Sequence, residues 1–466
     1  MSAWAGLLAS IALPWIAGAA TVVALRGAAG RHELPLAAGY GFLIGVLAAT
    51  LVLRAASFAG SPWHPMLLDA AMVAIATIAG TVAFRARASA PAGDPVAGSL
   101  AGETAPYRWL FAAALALLAV RILGLAIEVA VSPLRAYDAW GHWSTKARVW
   151  LEAGRLVPFV SGGAWLAQGD PGLYTDSNPS HPGTLPLLQV WVARHTGGWN
   201  EPMVNAPWLA MVVAFALAFY AQARAAGARA SLAMVATWLV VSMPVLGQHV
   251  AQSGAADLFM GAAYAMAAMA VWRWSVTREP GMALVAALSV AAGAWIKIEG
   301  LLWMATLVPA VVVALHRRAG LILVGAAVAA FAAYLALGPE RLPMLGYVLR
   351  NRPVNVLPTL ILQVFTLDHW HLAAYAFGAV AAWRWRVLLA PRHAPATLTV
   401  FCALGLVVVV FFFSSAAFGV ADETLGNRFI LHLMPTLVFY TLVLLLDPGA
   451  PAGDQPSAQA TKAADA

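Results

Sequence analysis

Apolar stretches of membrane-span length recur along almost the whole chain, and they constrain its fold more than any other feature. A bilayer core is crossed by about 20 consecutive, mostly apolar helical residues, and by that criterion the sequence offers about 13 spans. Their centres fall near Ile16, Gly45, Ala74, Leu118, Val213, Leu239, Met266, Ala287, Leu307, Ala327, Phe377, Val408 and Leu437. In hydrocarbon every backbone amide must find its partner inside the protein, which selects helices for such stretches. Hydrophobic residues are 62% of the chain and charged residues 10%, and the mean hydropathy is +0.79. Those values exclude an ordinary soluble domain. The expected fold class is all-α, a polytopic transmembrane helical bundle.

Arginines then orient it. Arg26, Arg31, Arg85, Arg87, Arg108, Arg224, Arg229, Arg273, Arg278, Arg317, Arg318, Arg384, Arg386 and Arg392 all fall in alternate short loops, which the positive-inside rule makes cytoplasmic. The formal charge of +7 has that simple cause, and no nucleic-acid partner is expected. The first apolar run, Trp4 to Leu25, has no basic region before it and reads as a retained span. The same orientation puts the N-terminus and the loop 132–183 on the extracytoplasmic side. Residues 184–195 are apolar but preserve the charge alternation only as a segment lying at the membrane surface.

Four regions follow. Residues 1–84 hold three N-terminal spans, and 85–107, rich in Ala, Gly, Pro and Ser, reads as a flexible cytoplasmic linker. Residues 108–446 form the core, and 447–466 a polar tail too poor in apolar surface to fold. The single cysteine, Cys402, permits no intrachain disulfide. There is no phosphate-binding GxxxxGK[ST] loop and no GxGxxG turn, which removes support for nucleotide-driven transport and dinucleotide redox chemistry.

Polar clusters collect on the extracytoplasmic side. RAYDAWGHWSTKARVW, Arg135 to Trp150, sets Asp138 just past a span and before a helix with Trp140, Trp143, Ala147, Trp150 and Leu151 on one face. SNPSHPGTLPLL carries His181, QHVAQSGAADLF carries His249 and Asp257, WIKIEG carries Lys297 and Glu299, and ETLGNRF opens the last span with Arg428. Asp138 and Asp257 also suit helix N-caps, and Lys297 and Arg428 suit snorkelling to headgroups. Trp140, Trp143 and Trp150 suit interfacial anchors. Arg121 and Glu128, inside one span, suit partners or bundle-facing groups. No histidine has metal-ligand spacing.

In order and content these motifs resemble the GT-C membrane glycosyltransferases, the superfamily of the protein mannosyltransferases and aminoarabinose transferases. YDAWGHWSTKARVW looks like the family's first-loop catalytic motif, with Asp138 in the place of its aspartate. His181 and Pro182 resemble the His-Pro segment, Asp257 the second acidic residue, Gly293 to Gly300 a GxxxKxEG-like turn, and Arg428, Phe429 and Pro435 the start of the final span. The likeness covers Trp109 to Leu446 and departs from the pattern at Gly183, where a second proline is usual. The three spans before the core depart from it too.

The resemblance implies a GT-C-like bundle with interfacial helices in the first large loop, in the inner membrane, with its site facing outward. It implies transfer of a sugar from a polyprenyl-phosphate donor to a hydroxyl acceptor, with inversion. Asp138 is then the general base, Asp257 a second catalytic carboxylate, and Lys297 and Arg428 the groups that hold the donor phosphate. Tyr137, His142, Lys146, Tyr174, Asp176, His181, His249 and Glu299 are candidates to bind acceptor or sugar. Asp257 can orient the acceptor, tune Asp138 by like charge, or help bind a divalent metal. No other cofactor is called for.

Two alternatives use the same features. A secondary transporter or lipid-linked sugar flippase also has many spans and few intramembrane charges, though its polar residues should gather near midplane. An oligosaccharide polymerase or ligase should rely on loop arginines, for which Arg341, Arg350 and Arg352 qualify.

Overall fold

The computed structural model describes residues 2–27, 33–85, 100–169 and 172–447. Arg31, Arg87, most of the expected linker and the tail beyond Asp447 lie outside the described residues.

The structure is 78% helical. In chain order, α1 (Ala3–Arg26), α2 (Leu34–Phe58), α3 (Pro65–Arg85) and α4 (Ala105–Val131) lead into the first loop. There a π-turn, Ala139–Trp143, runs into α5 (Ser144–Ala153), followed by paired strands β1 (Phe159–Val160) and β2 (Tyr174–Thr175). Next come α6 (Thr184–Thr196), α7 (Glu201–Ala225), α8 (Ala230–Val241), α9 (Pro244–Ala251), α10 (Asp257–Thr277) and α11 (Pro280–Ile296). After these lie α12 (Glu299–Ala305), α13 (Val308–Leu315), α14 (Arg317–Leu337) and the hairpin β3 (Arg341–Met344) and β4 (Tyr347–Arg350). The chain closes with α15 (Leu357–Ile361), α16 (Ala373–Trp383), α17 (Ala394–Phe413) and α18 (Gly426–Leu446).

Among the described residues, eight helices are long and apolar enough to cross a membrane: α1 to α4, α7, α14, α17 and α18. The other expected span centres fall on helices that are broken, shorter or less apolar. The α8 and α9 pair is bent by 60° just before Pro244, whose missing N–H and ring oppose continuation. Pro309 opens α13 after a similar break, and α11 has 17 residues. A π-turn at Leu362–Thr366 and an irregular stretch interrupt the segment before α16.

Residues 184–195, expected at the membrane surface, pack inside the protein. At 13 residues α6 is too short to cross, yet it does not lie on the outside of the protein. Thr184 through Ala193 are all buried among α1, α2, α5 and α7. The expected tryptophan anchors are corrected: Trp143 and Trp150 are buried in the protein, and of the three only Trp140 is exposed. Glu128 is exposed and Arg121 half-buried on α4, and they form no ion pair with each other among the described residues.

The first two helices are built into the core. Gly18 of α1 and Gly41 and Gly45 of α2 let the two backbones touch, since a Cβ on Gly45 would stand 1.8 Å from the Pro14 carbonyl oxygen. The Tyr40 hydroxyl donates to the Met266 carbonyl at 2.8 Å and accepts from Gln222 at 2.8 Å. Trp191 Nε1 donates to the Ser10 carbonyl at 2.9 Å. At one end of the bundle Arg26, Glu33, Arg273 and Glu279 tie α1, the start of α2, α10 and the start of α11 together through bonds of 2.6 to 2.9 Å.

Candidate active site

At the opposite end, chain segments far apart in sequence converge on Asp257. This residue opens α10, but no part of its side chain reaches solvent. Lys297 Nζ, in the extended turn between α11 and α12, lies 3.1 Å from Asp257 Oδ1. Arg428, in the first turn of α18, reaches Oδ2 with Nε at 2.9 Å and Nη2 at 2.8 Å. His432 Nε2, one turn further along α18, stands 3.4 Å from Oδ1. Asp257 and Asp138 therefore do not cap their helices with side-chain hydrogen bonds, and Lys297 does not snorkel.

Arg428 Nη2 also donates to Asp138 Oδ2. These two groups form the open edge of the cluster, with Asp138 34% and Arg428 25% exposed, while Lys297 is 7% exposed. Asp138 is presented there because the chain leaves α4 at Ser132 and turns directly into the π-turn that follows it. Behind Lys297, Glu299 Oε1 lies 3.6 Å from its ammonium and accepts from the Tyr347 hydroxyl at 3.2 Å. Gly300 allows this tight turn, because a Cβ there would meet the Gly293 carbonyl oxygen at 2.3 Å.

The first loop supplies a second layer. His142 Nδ1 lies 2.5 Å from Asp176 Oδ1, and Lys146 Nζ lies 2.7 Å from Asp176 Oδ2. Lys146 also donates to the Asn178 carbonyl at 2.9 Å, and Asp176 accepts from the Asn178 amide at 3.0 Å. Burial raises the Asp176 pKa, but the His142 and Lys146 bonds outweigh it and hold the carboxyl well below its usual range. Burial pulls Lys146 down, against the opposing pull of Asp176. With Nδ1 committed to a carboxylate, His142 leaves a buried Nε2 without a partner.

His181 joins the two layers. Its ring lies 5.1 Å from that of His142, and its Nδ1 accepts from the Ile298 amide at 3.3 Å, 4.0 Å from Glu299 Oε2. Burial pushes its pKa down to about 4, against the nearby Glu299 carboxylate. Gly183, the departure noted in the His-Pro segment, sits against the Trp150 ring, where a Cβ would approach to 2.5 Å. A proline has no room there.

His249 is buried with an unpartnered Nδ1, close enough to Asp257 to feel its charge. Two candidates fall outside the network. Tyr137 is exposed and packs edge-on to Trp140 at 5.0 Å, and Tyr174 is exposed on β2 beside Phe159. The sequence reading did not single out His432, Tyr347 or Gln363. Helical spacing from Arg428 to His432 could have found the first, whereas only the tertiary fold brings in the other two.

Among the described residues no three His, Cys, Asp or Glu side chains converge as metal ligands. Both oxygens of Asp257 already face cations, so it fits a divalent ion poorly, and no step below is routed through one. An apolar groove of about 530 Å³ lies between α15, α16, α17 and α18, lined on α18 by Ile430, Leu433, Met434 and Leu437. No protein-family model, curated protein or solved structure matches this chain.

Proposed function

We infer that the Asp138 cluster is the active site of a GT-C-type membrane glycosyltransferase that uses a polyprenyl-phosphate sugar. One observation carries the reading: Asp138 is a carboxylate at an open edge, gripped by an arginine that a buried aspartate holds in place. Asp138 accepts the proton of an acceptor hydroxyl as its oxygen attacks the anomeric carbon. The new C–O bond forms as the bond from that carbon to the phosphate oxygen breaks, with inversion, and the electron pair leaves with the phosphate. Arg428 meets the growing negative charge. Asp257 positions Arg428 and Lys297, and Lys297 adds positive potential from behind rather than by contact. His142, Lys146 and Asp176 brace the loop on the acceptor side.

In this reading the site faces the extracytoplasmic side of the inner membrane. It also takes α10 and the bent, short and broken segments as further spans, for about 13 in all. The test is transfer from labelled polyprenyl-phosphate sugars to envelope extract by the full chain in lipid nanodiscs. Asp138→Asn should keep its melting temperature and lose about 10²–10⁴-fold in rate. Full activity in that variant, or no donor consumption by the wild type, overturns the reading.

A second reading, a lipid-linked sugar flippase, has one observation in its favour. The breaks in two helical segments meet where Ser242 Oγ lies 3.2 Å from His371 Nε2, and interrupted spans mark transporter binding sites. Sugar-lipid movement across proteoliposomes without transfer would favour it.

A further inference from the structure

The start of α18 combines three features that the cluster above does not use. Its first turn, Gly426 to Arg428, has no capping side chain, so N–H groups that carry the positive end of the helix dipole stay uncommitted. Gln363, in the π-turn at Leu362–Thr366, is wholly buried, and neither its amide oxygen nor its nitrogen has a partner. Its amide points at this turn: a Cβ on Gly426 would stand 2.1 Å from Gln363 Oε1 and 3.5 Å from Nε2. Asn427 adds a second buried carboxamide oxygen without a partner. Buried amides are nearly always hydrogen-bonded, and an exception calls for a ligand or a cost. The apolar groove is lined by chain neighbours of these residues, Ile361 and Val364 on either side of Gln363 and Ile430, Leu433 and Leu437 beyond Arg428 on α18.

We propose that the first turn of α18, the Gln363 amide and Arg428 form a site for a phosphate ester on an apolar tail, and that the bound phosphate draws Arg428 away from Asp138. A helix N-terminus suits a phosphate, and the Gln363 carboxamide, whose Oε1 lies nearest Gly426, turns its Nε2 to the phosphate as a donor when the ligand binds. The groove takes the tail, which lies alongside α18 toward the other end of the bundle. Asp257 is saturated by Lys297, Arg428 and His432, so Asp138 is the carboxylate that competes with the phosphate for the guanidinium. The bound donor thereby uncovers its own base. Only the identity of the tail as a polyprenyl chain rests on the glycosyltransferase reading.

The experiment measures binding, not transfer. The full chain in nanodiscs is titrated with an isoprenyl monophosphate, against the matching isoprenol, inorganic phosphate and phosphatidate as competitors. Gln363→Leu keeps the shape and removes an unpaired buried amide, so it should fold at least as well as the wild type and bind the monophosphate about tenfold more weakly, the effect of losing one hydrogen bond to a charged group. Asp138→Asn should bind it more tightly, a gain that a merely structural role for Asp138 does not produce. Isoprenol and inorganic phosphate should compete poorly, and equal competition by phosphatidate assigns the site to a bilayer lipid in place of an isoprenyl one. Wild-type affinity in Gln363→Leu, or unchanged affinity in Asp138→Asn, overturns the proposal. Binding as described with no sugar transfer leaves this site standing and sinks the transferase reading, whereas transfer with unaltered binding in Gln363→Leu does the reverse.

Discussion

His181 is the residue through which acid should reach the site. Its folded pKa of about 4 lies below the ordinary histidine value of 6.5, so between those values the unfolded chain binds more protons and stability rises with pH. The contribution is complete above about pH 6.5 and is lost as pH falls toward 4. Asp176, whose carboxyl is also depressed, keeps its contribution through this window and loses it only below the usual carboxylate range. Melting curves at pH 7, 5.5 and 4.5 should show a falling midpoint for the wild type and a shallower fall for His181→Gln; identical slopes would discard the assignment. Asp257→Asn is expected to cost about 3–5 kcal/mol, since it leaves the buried Lys297 and the half-buried Arg428 undercompensated. A melting temperature within error of the wild type would show that Asp257 does not hold them. The candidates Asp138, Asp257, Lys297 and Arg428 were legible in the sequence because charge beside a span is conspicuous. Gln363 was not, because an amide inside an apolar run has no periodicity of its own, and its importance lies in what it fails to touch.

At the scale of elements, close helix packing makes the clearest demand. Gly18, Gly41 and Gly45 bring α1 and α2 into backbone contact, the small-residue packing that helices in lipid favour. Gly45→Ala should destabilise the protein by about 1–3 kcal/mol, the usual cost of overpacking, in thermal unfolding of the detergent-solubilised chain. Gly80→Ala, with open space around its Cβ, should leave the midpoint unchanged or slightly raised. Equal effects at the two positions would mean that α1 and α2 do not pack as described. Helix α6 shows what an element-level reading of the sequence leaves out. Its apolar face matched a surface segment, but burial by α1, α2, α5 and α7 comes from neighbours that no local pattern encodes.

At the scale of the molecule, two polar clusters sit at opposite ends of an apolar bundle and hold its helices in register. Glu33 accepts both ion-pair bonds of Arg273 and one from Arg26, whose side chain is fully buried. Glu33→Gln should therefore lower stability by about 3 kcal/mol, the lower end for breaking a buried pair, because Glu279 still holds Arg26. No change in thermal midpoint would show the network to be dispensable. The same ties join the first two helices to α10 and α11, so they belong to the frame that carries the Asp257 cluster at its other end.

By itself the sequence determined that this chain is a helical membrane protein, where most of its helices lie, and which charged residues stand at their ends. Those properties follow from hydropathy and spacing, which are local. Tertiary structure alone decided that Asp257 meets Lys297 and Arg428, that Asp138 stays at the open edge, that α6 is buried, and that Gln363 faces an uncapped helix. These depend on distances between segments 40 to 290 residues apart, and such distances are set when helices pack.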